Sequence, residues 1–302
     1  MGNQIFQYLA SRYISKHINN LDITYSLSKS ILNGNRDFEL NNLLLNPLEI
    51  SKQKKNDGIW TSRITKNLPL ISNEKKERIK FHINLFNKLY EEVYYSSDFI
   101  DPLLKLNCYL EIVKNKKQSL KISGFWQNPS CYVNELEDYM SNFINTKNLL
   151  PKYIEPNKYI TIHIRKGDYC INKETMSTYF KRFSPIEFII LSMQILSQEY
   201  KNMPIYLLSD DKSWRLKIVE ILSNTINNKI TCINTNNHFQ DWSIVRHASI
   251  NICSNSTFSY TAALLNKDNK FQKLRCIVPQ WINDRETSFA KGWLKPNGFI
   301  EI

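Results

Sequence analysis

A chain of 302 residues with 42% hydrophobic side chains holds one large or two ordinary domains, each with apolar mass enough for a proper core. Its 40 Lys and Arg against 28 Asp and Glu leave a net charge of +12, which favours anionic partners such as a nucleoside diphosphate, lipid headgroups or nucleic acid without choosing among them. No run approaches the ~18 apolar residues that cross a bilayer, and no charged-then-apolar leader pattern opens the sequence, so a cytoplasmic protein is expected, with peripheral contact at an anionic inner membrane face compatible with the charge.

Gln4 to Lys16 reads as a helix with Ile5, Tyr8, Leu9, Tyr13 and Ile14 on one core face. From Asp22 to about Leu106 the chain is rich in Asn, Lys, Leu and Ile, carries the charged run Ser51 to Asp57, and predicts mainly helices and loops. Ser119 to Ser123 reads as a short strand leading to Gly124 and Trp126, and Pro129 opens a helix towards Val133 to Ile144. Trp126 could stack on a sugar ring, although such a Trp more often serves a core or an interface. Pro151 and Pro156, in the polar stretch Asn145 to Asn157, mark the domain boundary, giving an N-terminal domain over 1–150.

Beyond the boundary, strands at Tyr159 to Ile164, Ile205 to Leu208, Lys229 to Ile233, Ile250 to Cys253 and Arg275 to Val278 alternate with helices at Pro185 to Tyr200, near Trp214 to Ser223, and on either side of Ile250 to Cys253. That alternation predicts an α/β fold with a doubly wound parallel sheet in the C-terminal half, over 155–280. Residues 281–302 hold too many aromatics for an ordinary linker. The six cysteines, Cys108, Cys131, Cys170, Cys232, Cys253 and Cys276, include no C-x-x-C pair, which argues against a zinc site or a dense disulfide framework.

Two stretches carry the chemistry. YITIHIRKGDY runs from β-branched alternation into His163, Arg165, Lys166, Gly167 and Asp168, placing cations beyond the carboxyl end of a strand, where open α/β sheets bind ligands. In DWSIVRHASINICSNSTFSYTAALL, Asn255, Ser256 and Thr257 fall where the last helix begins, with hydroxyls and unpaired N–H groups at the positive end of its dipole, a ready anion site. Moving a sugar from a nucleoside diphosphate requires charge stabilisation by a D-x-D-held metal or by cations and N–H dipoles. No D-x-D occurs. Asp210 and Asp211 follow the strand YLLS as neighbours whose side chains should diverge, so no metal and no cofactor is expected. Arg165, aided by Lys166, would carry the charge, since a guanidinium binds two phosphate oxygens at once, while a structural ion pair with Asp168 is the alternative.

HIRKGDY closely resembles the H-x-R-R-G-D-Y motif of the bacterial α-1,2-fucosyltransferases, glycosyltransferase family 11. SNSTFSYTAALLN resembles their S-N-S-T-F-S-W-W-x-A-x-L-N motif, and Gly2 to Tyr8 resembles the end of their G-G-L-G-N-Q-M-F-Q-Y opening. The resemblance implies a two-domain GT-B-like enzyme with 1–150 on the acceptor side, 155–280 binding the nucleotide sugar, and a tail, 281–302, that packs back across the cleft. It implies inverting, metal-independent transfer of L-fucose from GDP-β-L-fucose to O2 of a galactose-containing surface glycan, as in O-antigen or lipopolysaccharide biosynthesis, with no nucleic-acid partner. The interval from Asp241 to Thr257 resembles that of the α-1,6-fucosyltransferases, in which an aspartate reads guanine and a hydroxyl residue holds a phosphate. A carboxylate can accept from both N1–H and the exocyclic amine of guanine, though a helix N-cap is an equal use for Asp241. The resemblance also places His163 near the base or the phosphates, and Asn3 with Gln4 near the fucose, as in protein O-fucosyltransferases with a G-N-Q loop. Asp168 and His163 are the local candidates for a general base, while Asp168 could instead orient Arg165.

This chain departs from the family pattern at three points. Lys166 replaces the second arginine, Tyr260 and Thr261 replace a tryptophan pair, and Met1 stands where the opening loop should already follow a first β-strand, which is expected to be missing. From another class, a basic non-enzymatic polyanion binder would explain +12 but not the pairing of the two anion-suited stretches.

Overall fold

A computed structural model describes residues 1–17, 38–48, 82–83, 92–96, 119–123, 135–166, 184–196, 198–200, 202–235, 237–266, 273–279, 296 and 298–302. The chain divides into two compact units, one of Met1, Asn3–Gln127 and Asn142–Ile144, the other of Gly2, Asn128–Ser141 and Asn145–Ile302.

In the first unit, α1 (Gly2–His17) buries Ile5, Phe6, Tyr8, Leu9 and Ala10. The spacing is helical, and Phe6 joins the expected face because the buried stripe is wider than a bare i, i+3, i+4 pattern. Tyr8 meets Phe143 edge to face at 5.6 Å, and Leu40, Leu43 and Leu44 complete this small core. Strands β1 (His82–Ile83), β2 (Glu92–Ser96) and β3 (Ser119–Ser123) form a sheet in which β1 runs antiparallel and β3 parallel to β2. The expectation of mainly helix and loop over 22–106 is thus corrected by β1 and β2. In β2 the run Val93, Tyr94, Tyr95 is strand-forming by its β-branched and aromatic side chains, a local signal too short to stand out in an Asn- and Lys-rich stretch.

The second unit opens with α2 (Leu136–Met140) and continues through β4 (Ile160–Ile164), α3 (Pro185–Ile195), β5 (Ile205–Ser209), α4 (Lys212–Ser223), β6 (Ile230–Cys232), α5 (His238–Arg246), β7 (Ile250–Cys253), α6 (Thr257–Leu264), β8 (Cys276–Val278) and β9 (Phe299–Glu301). Six strands lie in the order β6-β5-β4-β7-β8-β9, every pair parallel, as the alternation of strand and helix predicts. Helix starts are written locally. Ser184 and Glu187 form a capping box ahead of Pro185, Asp211 caps α4 through the Trp214 N–H, and Asn237 caps α5 through the Phe239 N–H. Ile160, Ile162 and Ile164 of β4 pack with Phe188 and Ile189 of α3 and with Ile218 and Leu222 of α4. Thr161 and His163 alternate to the other face, where the Thr161 hydroxyl donates to Asn251 of β7.

Cys253 and Cys276 are fully buried free thiols with sulfurs 3.7 Å apart, in keeping with reduced core residues. The end of the tail supplies β9, an edge strand on β8 that the sequence does not announce. Residues 280–295, on which the expected crossing of the cleft rests, lie outside the described residues. Also among the described residues, no helix is long and apolar enough to cross a membrane.

Candidate active site

From the centre of the sheet, connections run one way through β4, β5 and β6 and the other way through β7, β8 and β9, so β4 and β7 flank the point where the winding reverses. Ligands of open parallel sheets bind outside the carboxyl ends of the strands at that point. Both stretches singled out in the sequence emerge there, and Ser254 stitches them together. Its N–H donates to the His163 carbonyl at 2.9 Å, and its hydroxyl accepts the Arg165 N–H at 2.9 Å. Ser254 was missed as a site residue, although it opens the S-N-S-T run.

On the β4 side, Arg165 is partly exposed and its Nε lies 3.2 Å from Asp210 Oδ2 at the end of β5. The other Asp210 oxygen accepts the Lys166 N–H at 2.7 Å. Lys166 Nζ sits 2.7 Å from Asp211 Oδ2, while the remaining Asp211 oxygen takes the Trp214 N–H at 2.9 Å. The Lys166 ammonium, and after it the Trp214 N–H, holds the Asp211 carboxyl well below the usual carboxylate range. Asp168 and Gly167 lie outside the described residues; the ion pair seen for Arg165 is with Asp210. Lys166, expected on the donor, pairs here with Asp211, the cap of α4.

On the β7 side, Asn255 and Ser256 are buried and α6 begins at Thr257. Ser256 occupies the N-cap with extended backbone and makes no side-chain cap bond, so the first-turn N–H groups keep the orientation that receives an anion. Gly2, which belongs to this unit, rests on that turn. A Cβ there would come within 2.4 Å of the Thr257 carbonyl carbon and 2.6 Å of the Phe258 nitrogen. No other residue fits so close a backbone approach. At the opposite end of α6, Arg275 Nη2 donates to the Ala263 and Asn266 carbonyls at 3.1 and 3.0 Å, and Arg246 Nε donates to the Leu265 carbonyl at 3.2 Å. Tyr260 packs on Phe299 of β9, and buried Thr261 bonds back to the Thr257 carbonyl. The residues that replace the tryptophan pair therefore serve the packing of α6 in this unit.

His163 is buried in β4, its ring stacked 5.2 Å from Phe258 and its Nδ1 without a hydrogen-bond partner among the described residues. Burial, opposed in part by the Asp210 charge, lowers its pKa from 6.5 to about 4. A general base at neutral pH works best with a pKa near 7. His163 is held as a neutral imidazole, suited to hydrogen bonding and weak as a base.

Asp241 lies in the first turns of α5, but Asn237 is the cap, which removes the N-cap reading. Its Oδ1 accepts the Thr235 hydroxyl at 2.5 Å. Burial raises the Asp241 pKa, against the Thr235 hydroxyl and the charges of Arg215 and His238. Arg215 is itself buried and fixes the loop after β6, donating to the Ile233 carbonyl and to Asn234 Oδ1. Thr235 and Arg215 carry no family signature and are legible only once the loop is folded.

Asn3 and Gln4 lie on α1 in the first unit. Gln4 Oε1 accepts the Glu39 and Leu40 N–H groups at 2.9 and 3.1 Å, a structural bond that ties down the turn Leu40–Asn42. Trp126 lies outside the described residues. No group of three or more His, Cys, Asp or Glu is placed to hold a metal ion among the described residues.

A model of Glycosyl transferase family 11 matches residues 2–295. The chain belongs to that family. It is a glycosyltransferase, which sets aside the polyanion-binder reading. Over 287 residues it is 25% identical to the O-antigen biosynthesis glycosyltransferase WbnK of Escherichia coli, covering 88% of this chain and 87% of that one. An alpha-1,2-colitosyltransferase of Escherichia coli is 28% identical over 156 residues, 49% of this chain and 52% of its own. Solved structures of POFUT1 in complex with GDP-fucose (13% identity, TM-score 0.32, 57% of each chain) and with GDP (14% identity, TM-score 0.32, 59% of this chain and 60% of that one) overlap little more than half of either molecule.

Proposed function

We propose that this glycosyltransferase has a GT-B-like architecture and is an inverting, metal-independent galactoside α-1,2-fucosyltransferase. It moves L-fucose from GDP-β-L-fucose to O2 of a galactose-like residue in a surface glycan such as an O-antigen. The observation that carries the reading is the joining of Arg165 to the start of α6 through Ser254 at the switch point of the sheet. Negative charge grows on the diphosphate as the glycosidic bond breaks, and the Arg165 guanidinium together with the N-terminal N–H groups of α6 would meet it without reorganising. Arg165 would stabilise the leaving group. Thr257 and the first N–H groups of α6 would hold a phosphate, and Asp241 would accept from guanine. His163 would offer Nδ1 to the donor as a neutral partner. Two relatives support the class of product, since one is named for O-antigen biosynthesis and the other for an α-1,2 linkage.

The test is transfer from a panel of nucleotide sugars to a free β-galactoside, with the product linkage read by NMR. Fucose on O2, from GDP-fucose alone, is the expected result. Transfer of another sugar, or to another hydroxyl, would overturn it. A second reading, the same linkage with a different GDP-linked deoxy sugar, is favoured by the colitosyl name of one relative, and the same panel decides between them.

A further inference from the structure

The two carboxylates that end β5 have no part in the reading above. One of them touches its central cation through one oxygen and the backbone of the next residue through the other. Asp210 takes Arg165 Nε on Oδ2 at 3.2 Å and the Lys166 N–H on Oδ1 at 2.7 Å, so a single side chain fixes both the guanidinium of one residue and the backbone of the next. Asp211 is different. It takes Lys166 Nζ and caps α4, tying the same loop to the helix that follows β5. Since β4 and β5 are neighbours in register, with Ile164 opposite Ser209, this arrangement is set by the sheet itself.

We infer that Asp210 is a positioning residue for the transfer reaction, holding the Nε edge of Arg165 so that the guanidinium is already aimed when the diphosphate arrives. Asp210 would keep its grip through the reaction rather than give way to the donor, because a diphosphate is bound bidentately through the Nη atoms and the Nε bond is compatible with that. The carboxylate also has a cost. It sets a negative charge beside the site of another anion, which weakens ground-state binding while improving aim. The inference rests on the assignment of Arg165 to the leaving diphosphate, and it separates affinity from rate in a way that a merely structural aspartate would not.

The experiment compares the wild type with Asp210→Asn, Arg165→Ala and the double variant, measuring GDP affinity by calorimetry, kcat for sugar transfer, and melting temperature. With its charge removed but an oxygen kept for the Lys166 N–H, Asp210→Asn is expected to bind GDP as tightly as the wild type or more tightly. Its kcat should fall by about 100-fold, the scale of a ~1 Å misplacement of a catalytic group. In the Arg165→Ala background the same change should have no further effect on kcat, because Asp210 acts only through Arg165. Should Asp210→Asn not fold, Asp210→Glu keeps the charge and shifts the reach by one methylene, and it should show the same loss of kcat at unchanged GDP affinity. Unchanged kcat in the foldable variant, or GDP affinity and kcat lost together with the melting temperature, would overturn the inference. If Arg165→Ala itself leaves GDP affinity and kcat intact, the diphosphate assignment falls, and with it the role given to Asp210. If the wild type turns over only another nucleotide sugar, the donor assignment alone falls, and the same comparison is read with that donor.

Discussion

Two places along the carboxyl edge of one sheet handle a ligand in opposite ways. At the β4–β7 junction the protein gathers anion-suited groups: the partly exposed Arg165, a helix N-terminus, and a serine that bonds the Arg165 backbone just ahead of that helix. At the end of β6 it conceals charge, for Asp241 is half-buried, bonded to Thr235 and faced by a buried arginine that is occupied with a carbonyl. The first arrangement suits an anion that gains charge during reaction. The second suits a neutral, patterned edge such as a nucleobase, where a desolvated acceptor discriminates by hydrogen bonds more than by attraction.

Breaking the first place should produce the largest effect. Arg165→Ala is expected to raise the barrier by about 2.7–4 kcal/mol, the loss seen when an oxyanion stabiliser is removed, and Arg165→Lys should recover only part because a point charge reaches one oxygen where the fork reaches two. Measuring kcat and melting temperature on one preparation separates this from a structural role, for which stability would fall and turnover persist. The His163 imidazole beneath the same junction gives a pH signature. Its folded pKa is depressed from 6.5 to about 4, so the unfolded chain binds the extra proton between those values. Stability from this group is full above pH ~6.5 and is lost as pH falls towards ~4, by about 3 kcal/mol. Denaturant titrations across that window should show the wild type losing this stability relative to His163→Gln as pH falls if the assignment holds.

At the second place the effects should be smaller and confined to affinity. Asp241→Asn, which turns one acceptor into a donor facing guanine's donors, should weaken GDP binding by about 1.5–3 kcal/mol with little change in kcat once donor is saturating. Thr235→Val removes the hydroxyl that orients that carboxylate and should cost about 0.5–1.5 kcal/mol of GDP affinity, restored by Thr235→Ser. Unaltered calorimetric affinity in both variants would dissolve the contrast between the two places. The smallest expected effect is none at all: EDTA should leave turnover intact, and loss reversed by magnesium or manganese would show that protein cations alone do not carry the leaving group.

Much of the second unit was legible because its signals are local. Alternating isoleucines in β4, Pro185 after Ser184, and the S-N-S-T run each specify an element within a few residues, and parallel order follows from their alternation. What was hidden depends on pairing across the sheet. Nothing near Arg165 in the chain indicates Asp210, whose role exists only because β5 lies beside β4. The same holds for Gln4, whose bonds to the Glu39 and Leu40 N–H groups bridge 35 and 36 positions of chain. Strand β9 was missed because Phe299–Glu301 is three residues long and stands at an edge, where burial writes little pattern.

Arg246 and Arg275 hold the last carbonyls of α6. A helix gripped by cations at its negative end is polarised and immobilised before any ligand is present, so its amino end is a fixed post and not a lid. Adaptation to donor and product, including the release step, then falls to groups that can exchange partners without moving the backbone. Among the described residues of this unit Lys166 and Asp211 form such a pair, and the tempo of turnover would follow how fast their charges re-pair.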